Sequence, residues 1–127
     1  MTNAVFLLIA LFFNHYLADF CLTLPVMIRA KSDGKSLGPI LLHSAIHAVL
    51  MGACLMVYGA SLRLVLLLAF SELLTHFVID TSKARLSKSI PSLADARQKP
   101  YWMLYGLDQL LHQLVVIAIW YAAITLE

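Results

Sequence analysis

Four apolar stretches run through the chain, near residues 3–21, 39–59, 63–82 and 101–126, with polar segments between them. Each is about as long as a helix must be to cross a hydrocarbon core about 30 Å thick. The pattern predicts an all-α fold: an integral membrane four-helix bundle forming a single domain over residues 1–127. Helix 1 stops before Pro25, and Asp33-Gly34 reads as a turn in a loop over residues 25–38. Pro39, a favoured first-turn residue, opens helix 2. The tight Gly59-Ala60-Ser61 connection makes helices 2 and 3 antiparallel neighbours. Residues 83–100 form the longest predicted loop. There, Leu86, Ile90 and Leu93 suggest a short amphipathic piece on the membrane surface, interrupted by Pro91. Tyr101-Trp102 and Trp120-Tyr121 mark the two interfaces of helix 4.

The apolar stretches are not uniformly apolar. All five histidines lie inside them, each with a second polar residue four positions away. His15 pairs with Asp19, His43 with His47, and Asp108 with His112, while His76 has Glu72 before it and Asp80 after it. This spacing puts each set on one helix face. Chain direction then fixes depth. His15 and Asp19 end helix 1, His43 and His47 begin helix 2, His76 and Asp80 end helix 3, and Asp108 and His112 begin helix 4. Most of these groups fall roughly 3–16 Å inside the same boundary, given a rise of about 1.5 Å per residue. The opposite halves, 4–13, 49–57, 64–70 and 115–119, are almost purely apolar.

Composition supports the membrane reading. Of 127 residues, 61% are hydrophobic and 13% charged, against about 25% charged in a typical soluble domain. No Lys or Arg precedes the first stretch, which reads as a permanent helix rather than a signal peptide. Eight of nine basic residues lie between helices 1 and 2 or between helices 3 and 4. The positive-inside rule makes that side cytoplasmic and turns both termini outward, in a multi-pass membrane protein. Cys21 and Cys54 form no C-x-x-C pair and read as small hydrophobes. No nucleic-acid partner is expected.

Ionisable groups in lipid are expensive and by default mark function. A single His–Asp pair would often only neutralise itself. Four sets at one depth point instead to one shared site, built as helical bundles build metal centres. The predicted metal ligands are His15, Asp19, His43, His47, His76, Asp80, Asp108 and His112. Imidazole and carboxylate donors suit Zn first, with Fe, Mn or Ni also fitting. So many donors exceed the needs of one tetrahedral ion and fit two ions, or one with outer carboxylates. Glu72 or Asp80 is the predicted catalytic base, and Lys31 and Lys83 the predicted groups for an anionic, phosphate-containing substrate. Gln109 and Gln113 flank the Asp108/His112 face and read as interhelical hydrogen-bonding residues. The chain has neither the H-E-x-x-H motif of zinc proteases nor a G-x-S-x-G elbow.

The set His15-x-x-x-Asp19-Phe20, Lys31, His43-x-x-x-His47, His76-Phe77-x-x-Asp80-x-x-Lys83 and Asp108-Gln109-x-x-His112 resembles a bacterial and phage family of small membrane proteins, a domain of unknown function. Leu22-Thr23 departs from it where that family is associated with a glutamine. More distantly, the His-x-x-x-Asp helices are similar to membrane-bound metal-dependent hydrolases, which implies hydrolysis of a phospholipid or another membrane-associated phosphoester. Two other functions use the same residues: a metal-ion or proton transporter or channel, and a non-enzymatic membrane interaction protein with the polar layer as glue. Membrane lipid is the expected partner, and a channel would require a homo-oligomer to enclose its path.

Overall fold

The computed structural model describes residues 2–126, and the chain is all-helical over them. Helix α1 spans Thr2–Tyr16 and continues without a break into a π-helical turn, Leu17–Cys21. Four further helices follow: α2 Pro25–Asp33, α3 Gly38–Tyr58, α4 Leu62–Ser89 and α5 Lys99–Thr125. Four helical segments, 3–21, 38–58, 62–89 and 99–125, are long and apolar enough to cross a membrane. They pack in a ring in which α1 touches α3 and α5, and α4 touches α3 and α5.

The spans agree with the apolar pattern, but the polar connections differ from it in two places. Residues 25–33 are a helix, not a loop. Pro25 occupies the first turn, where its missing N–H costs nothing. Gly34 closes the helix in the left-handed region, at φ 61°, and donates its N–H to the Ala30 carbonyl at 3.0 Å. The predicted Asp33-Gly34 turn is thus a helix cap. Met27 and Ala30 are buried, so this short helix folds back onto the bundle, against α3 and α4.

The second difference is the length of α4, which continues to Ser89 rather than ending near residue 82. The apolar run stops there, but Lys83, Ala84, Arg85 and Leu86 are good helix formers and nothing breaks the helix until Pro91. Ile90, the residue before that proline, is forced into extended backbone, with φ −128° and ψ 102°. Leu86 therefore lies within α4, and Leu93 ends a single 3₁₀ turn, Pro91–Leu93. No separate amphipathic surface helix forms.

The two ends of the bundle differ in kind. One end is a purely apolar core of Leu7, Leu11, Met51, Leu55, Leu64, Val65, Leu68, Val116, Ile119 and Ala123. Gly59, at φ 104°, makes the tight α3–α4 turn at this end. Trp120 Nε1 donates to the Ala4 carbonyl at 2.7 Å and ties α5 to α1. Toward the other end, carrying α2 and the 3₁₀ turn, buried histidines and carboxylates lie beside a small apolar cluster of Ala30, Ile40 and Ala84.

Candidate metal centre

The i, i+4 faces of the four long helices turn inward and meet. His76 is fully buried on α4, and the other four imidazoles surround it. Ring centroids lie 3.8 Å away for His47, 4.0 Å for His112, 5.2 Å for His43 and 5.9 Å for His15. Residues from α1, α3, α4 and α5 thus come together in one layer.

Four carboxylates interleave with the rings. Asp19 reaches furthest: its oxygens lie 3.0 Å from His43 Nε2, 3.3 Å from His47 Nε2 and 3.4 Å from His15 Nε2. The π-turn carries Asp19, and such single-turn widenings are frequent at functional sites. Thr23 steadies the turn by donating its hydroxyl to the carbonyls of Ala18 and Asp19, at 2.8 and 2.6 Å. Glu72 Oε1 lies 3.2 Å from His76 Nδ1 and 3.9 Å from His47 Nδ1. Asp80 lies 3.3 Å from His112 Nε2 and 3.5 Å from His76 Nε2. Asp108 Oδ1 lies 3.6 Å from His112 Nε2.

Two lysines complete the layer. Lys31, carried in by α2, sits 3.0 Å from Asp80 Oδ2, 3.2 Å from His43 Nε2 and 3.6 Å from Asp19 Oδ1. Burial alone would lower its pKa, but Asp80 and Asp19 hold it above the ordinary lysine value, so the ammonium stays charged. Lys83 Nζ donates to Asp108 Oδ2 at 2.8 Å and lies 5.0 Å from the centre of the Tyr105 ring. Both predicted substrate-binding lysines are therefore engaged with carboxylates of the layer. The basic residues beyond it, Arg29, Lys35, Arg85, Lys88, Arg97 and Lys99, are exposed.

The balance of charge is informative. Asp19, Glu72, Asp80 and Asp108 face two ammoniums, so two negative charges stay uncompensated while the imidazoles are neutral. Uncompensated charge away from water costs several kcal/mol per ion. A divalent cation or two imidazolium protons would balance it. Donor geometry suits a cation. Among the described residues, three groups bring their ligand atoms within 4.8 Å of one another: His15, His47, Glu72 and His76; Asp19, His43, His47 and His76; and His76, Asp80 and His112. Buried atoms in these groups, including both His15 nitrogens, His76 Nε2 and Glu72 Oε2, have no hydrogen-bond partner. Buried polar atoms are rarely left so without an ion or water to take them up. The donor set fits a metal.

Every sequence-predicted site residue lies in this layer, but not in one role. Asp108 is outside the three donor groups, while Glu72, predicted as a base, is inside one. A cavity of about 320 Å³ opens beside the layer and is lined by Asp19, Lys31, Lys83, Asp108, Gln109 and Tyr105, among others. Neither Glu72 nor Asp80 lines it. Gln109 bridges two helices, as its position suggests, with Nε2 3.2 Å from Asp19 Oδ2 and 3.4 Å from Asp108 Oδ2. Gln113 is exposed and Ser44 and Thr75 bond carbonyls of their own helices. Cys21 and Cys54 are free thiols. Sequence reasoning missed Tyr101 and Tyr105 as cavity walls and α2 as the carrier of Lys31. The bracketing Pro25 and Gly34 were the available signal for the helix.

The chain belongs to the DUF3307 family, proteins of unknown function, whose family model matches residues 7–127. No curated protein and no solved structure matches it.

Proposed function

We propose that this DUF3307 member is an integral membrane, metal-dependent hydrolase whose substrate is a phospholipid or another membrane-associated phosphoester. The observation that carries the reading is the convergence of five imidazoles and four carboxylates beside a cavity flanked by Lys31 and Lys83. His15, His47, Glu72 and His76 would hold one divalent ion, and Asp80 and His112, with Asp19 and His43 nearby, a second. Zn suits these donors best, and Fe, Mn or Ni also fit. One divalent ion would neutralise the layer. A second would leave it positive and complementary to a phosphate.

When bound, the metal pair supplies Lewis acidity and lowers the pKa of water. The chain supplies the rest. Asp108 faces the cavity, its Oδ2 anchored by Lys83 and its Oδ1 without a hydrogen-bond partner. As a residue lining the cavity, Asp108 is better placed as the base than Glu72 or Asp80, which do not line it. Asp108 takes a proton from the attacking water as the water oxygen bonds to phosphorus. The ester P–O bond breaks, and the proton goes to the leaving alcohol. Lys31 and Lys83 would hold the anionic oxygens of the substrate, whose phosphate would compete with Asp80 and Asp108 for the two ammoniums.

The exposed basic residues around the cavity end favour a cytoplasmic mouth, with both termini outward, in a bacterial inner membrane. The test is purification without chelators, metal analysis, and an assay of phosphoester hydrolysis in vesicles. About two transition-metal ions per chain are expected. Asp108→Asn should retain metal and lose about 10²–10⁴-fold in kcat. Absence of any stoichiometric transition metal would overturn the reading.

A further inference from the structure

A second hollow of about 320 Å³ runs along the outside of the α4/α5 seam. Its walls are aliphatic: Val78, Ile79 and Leu86 from α4, and Leu104, Leu107 and Leu111 from α5. Val78, Leu86, Leu107 and Leu111 are exposed, on surface that would face acyl chains in a bilayer. Three of its lining residues are polar: Ser82, Lys83 and Asp108. Lys83 and Asp108 line both this groove and the polar cavity beside the metal centre. Their 2.8 Å ion pair is the partition between an apolar trough and a charged chamber. The polar chamber is the size of a headgroup, and the trough offers nothing to a polar ligand beyond its head.

We propose that the α4/α5 groove binds one acyl chain of an anionic phospholipid whose phosphate enters the polar cavity beside Lys83 and Lys31. The occupant is argued from continuity and charge. A molecule spanning both hollows must be aliphatic at one end and anionic at the other. Insertion of its phosphate would exchange the Lys83–Asp108 contact for a Lys83–phosphate contact and free Asp108 for proton transfer. A comparable hollow at the α1/α3 seam, lined by Asn3, Phe6, Leu7, Ala10, Cys54, Val57 and Tyr58, shares no residue with the polar cavity. It is therefore an internal control for ordinary lipid contact. The proposal rests on the hydrolase reading only for the identity of this lipid as substrate; chain binding itself is separable from turnover.

The experiment uses the full chain in phosphatidylcholine nanodiscs doped with a phosphatidylglycerol that carries a photoactivatable diazirine at its acyl tail. Labelled positions are mapped by mass spectrometry. Labelling of the α4/α5 groove should exceed that of the α1/α3 groove by about fivefold, the enrichment expected if one basic residue selects the anionic headgroup. A tail-diazirine phosphatidylcholine should label the two grooves equally. Leu107→Trp, a lipid-facing change that fills the trough, and Lys83→Ala, which removes the headgroup contact, should each reduce α4/α5 labelling to the α1/α3 level. Equal labelling of both grooves by the anionic probe, or preferential labelling that survives Leu107→Trp, would overturn the proposal. Preferential labelling without phosphoester turnover would uphold the groove and remove the hydrolase reading.

Discussion

Lys31 Nζ lies 3.0 Å from Asp80 Oδ2, across a helix break and from a segment whose composition reads as a loop. The contact exists because α2 folds back, with Met27 and Ala30 buried on the same face as Lys31. The ammonium sits among Asp80, Asp19 and His43 and balances the two carboxylates. Removing it leaves two carboxylates without their cation. Lys31→Met should therefore destabilise the metal-free protein by about 3–5 kcal/mol, the usual result of breaking a buried pair from one side. Metal should restore more of that loss than it adds to the wild type. Because Asp80 and Asp19 raise the Lys31 pKa, its contribution is complete below the ordinary lysine value and is lost only as pH climbs through the raised one. The Lys31→Met deficit should then be flat across neutral pH. Thermal unfolding with and without chelator checks both points; an unchanged apo Tm would show that the contact is incidental.

His76 belongs to all three donor groups, whereas His112 belongs to one and His15 to another. The layer thus has a shared centre and separable edges. His76→Ala should abolish stoichiometric metal binding. His112→Ala and His15→Ala should each remove about half of it, if the two ions sit as a pair of neighbouring sites. Elemental analysis of the three variants after identical purification reads this directly. Equal metal loss in all three would mean one indivisible site.

Much of this layer can be read in the sequence because the α-helix repeats: residues four apart must share a face, and antiparallel order must bring alternate ends together. His15, His43, His76 and Asp108 could be placed at one depth for that reason. What spacing cannot fix is rotation of each helix about its axis, and rotation decides partners. Hence Lys31 and Lys83, legible as cations near the boundary, turn out to be paired with Asp80 and Asp108. The π-turn at Asp19 has no sequence signature, since it depends on Thr23 taking up the carbonyls of Ala18 and Asp19. Helix α2 was harder to see because its nine residues are too few for a sustained period, although Pro25 and Gly34 mark its ends.

The apolar end bears on transport. Leu11 and Leu55 are fully buried, and Leu68 and Val116 nearly so, within the core that fills this end of the bundle. Close packing of this kind has no room for a hydrated ion, and a charge at such depth costs at least about 2.5–3.5 kcal/mol. Vesicles containing the protein should therefore pass protons and Zn²⁺ no faster than protein-free vesicles. Fluorescent indicators trapped inside provide the measurement. Sustained flux that His76→Ala removes would favour a transporter over a hydrolase.

Two glycines with positive φ separate the role of α2 from simple backbone strain. Gly34 has φ +61°, and a Cβ there would meet the Ala84 carbonyl oxygen at 3.2 Å. Gly59 has φ +104°, with nothing within 4 Å of a Cβ. Alanine at either position carries the left-handed penalty of about 1–2 kcal/mol. Only at position 34 must the new methyl also push against α4. The short helix would then lift from Ala84 and draw Lys31 away from Asp80. Gly34→Ala should lower Tm more than Gly59→Ala, and only Gly34→Ala should change metal affinity. Affinity should rise if Lys31 competes with the ion, because its withdrawal frees Asp80 and Asp19. Titration of Zn²⁺ into the two variants distinguishes the cases. Matching affinities would mean that α2 does not govern access to the carboxylates.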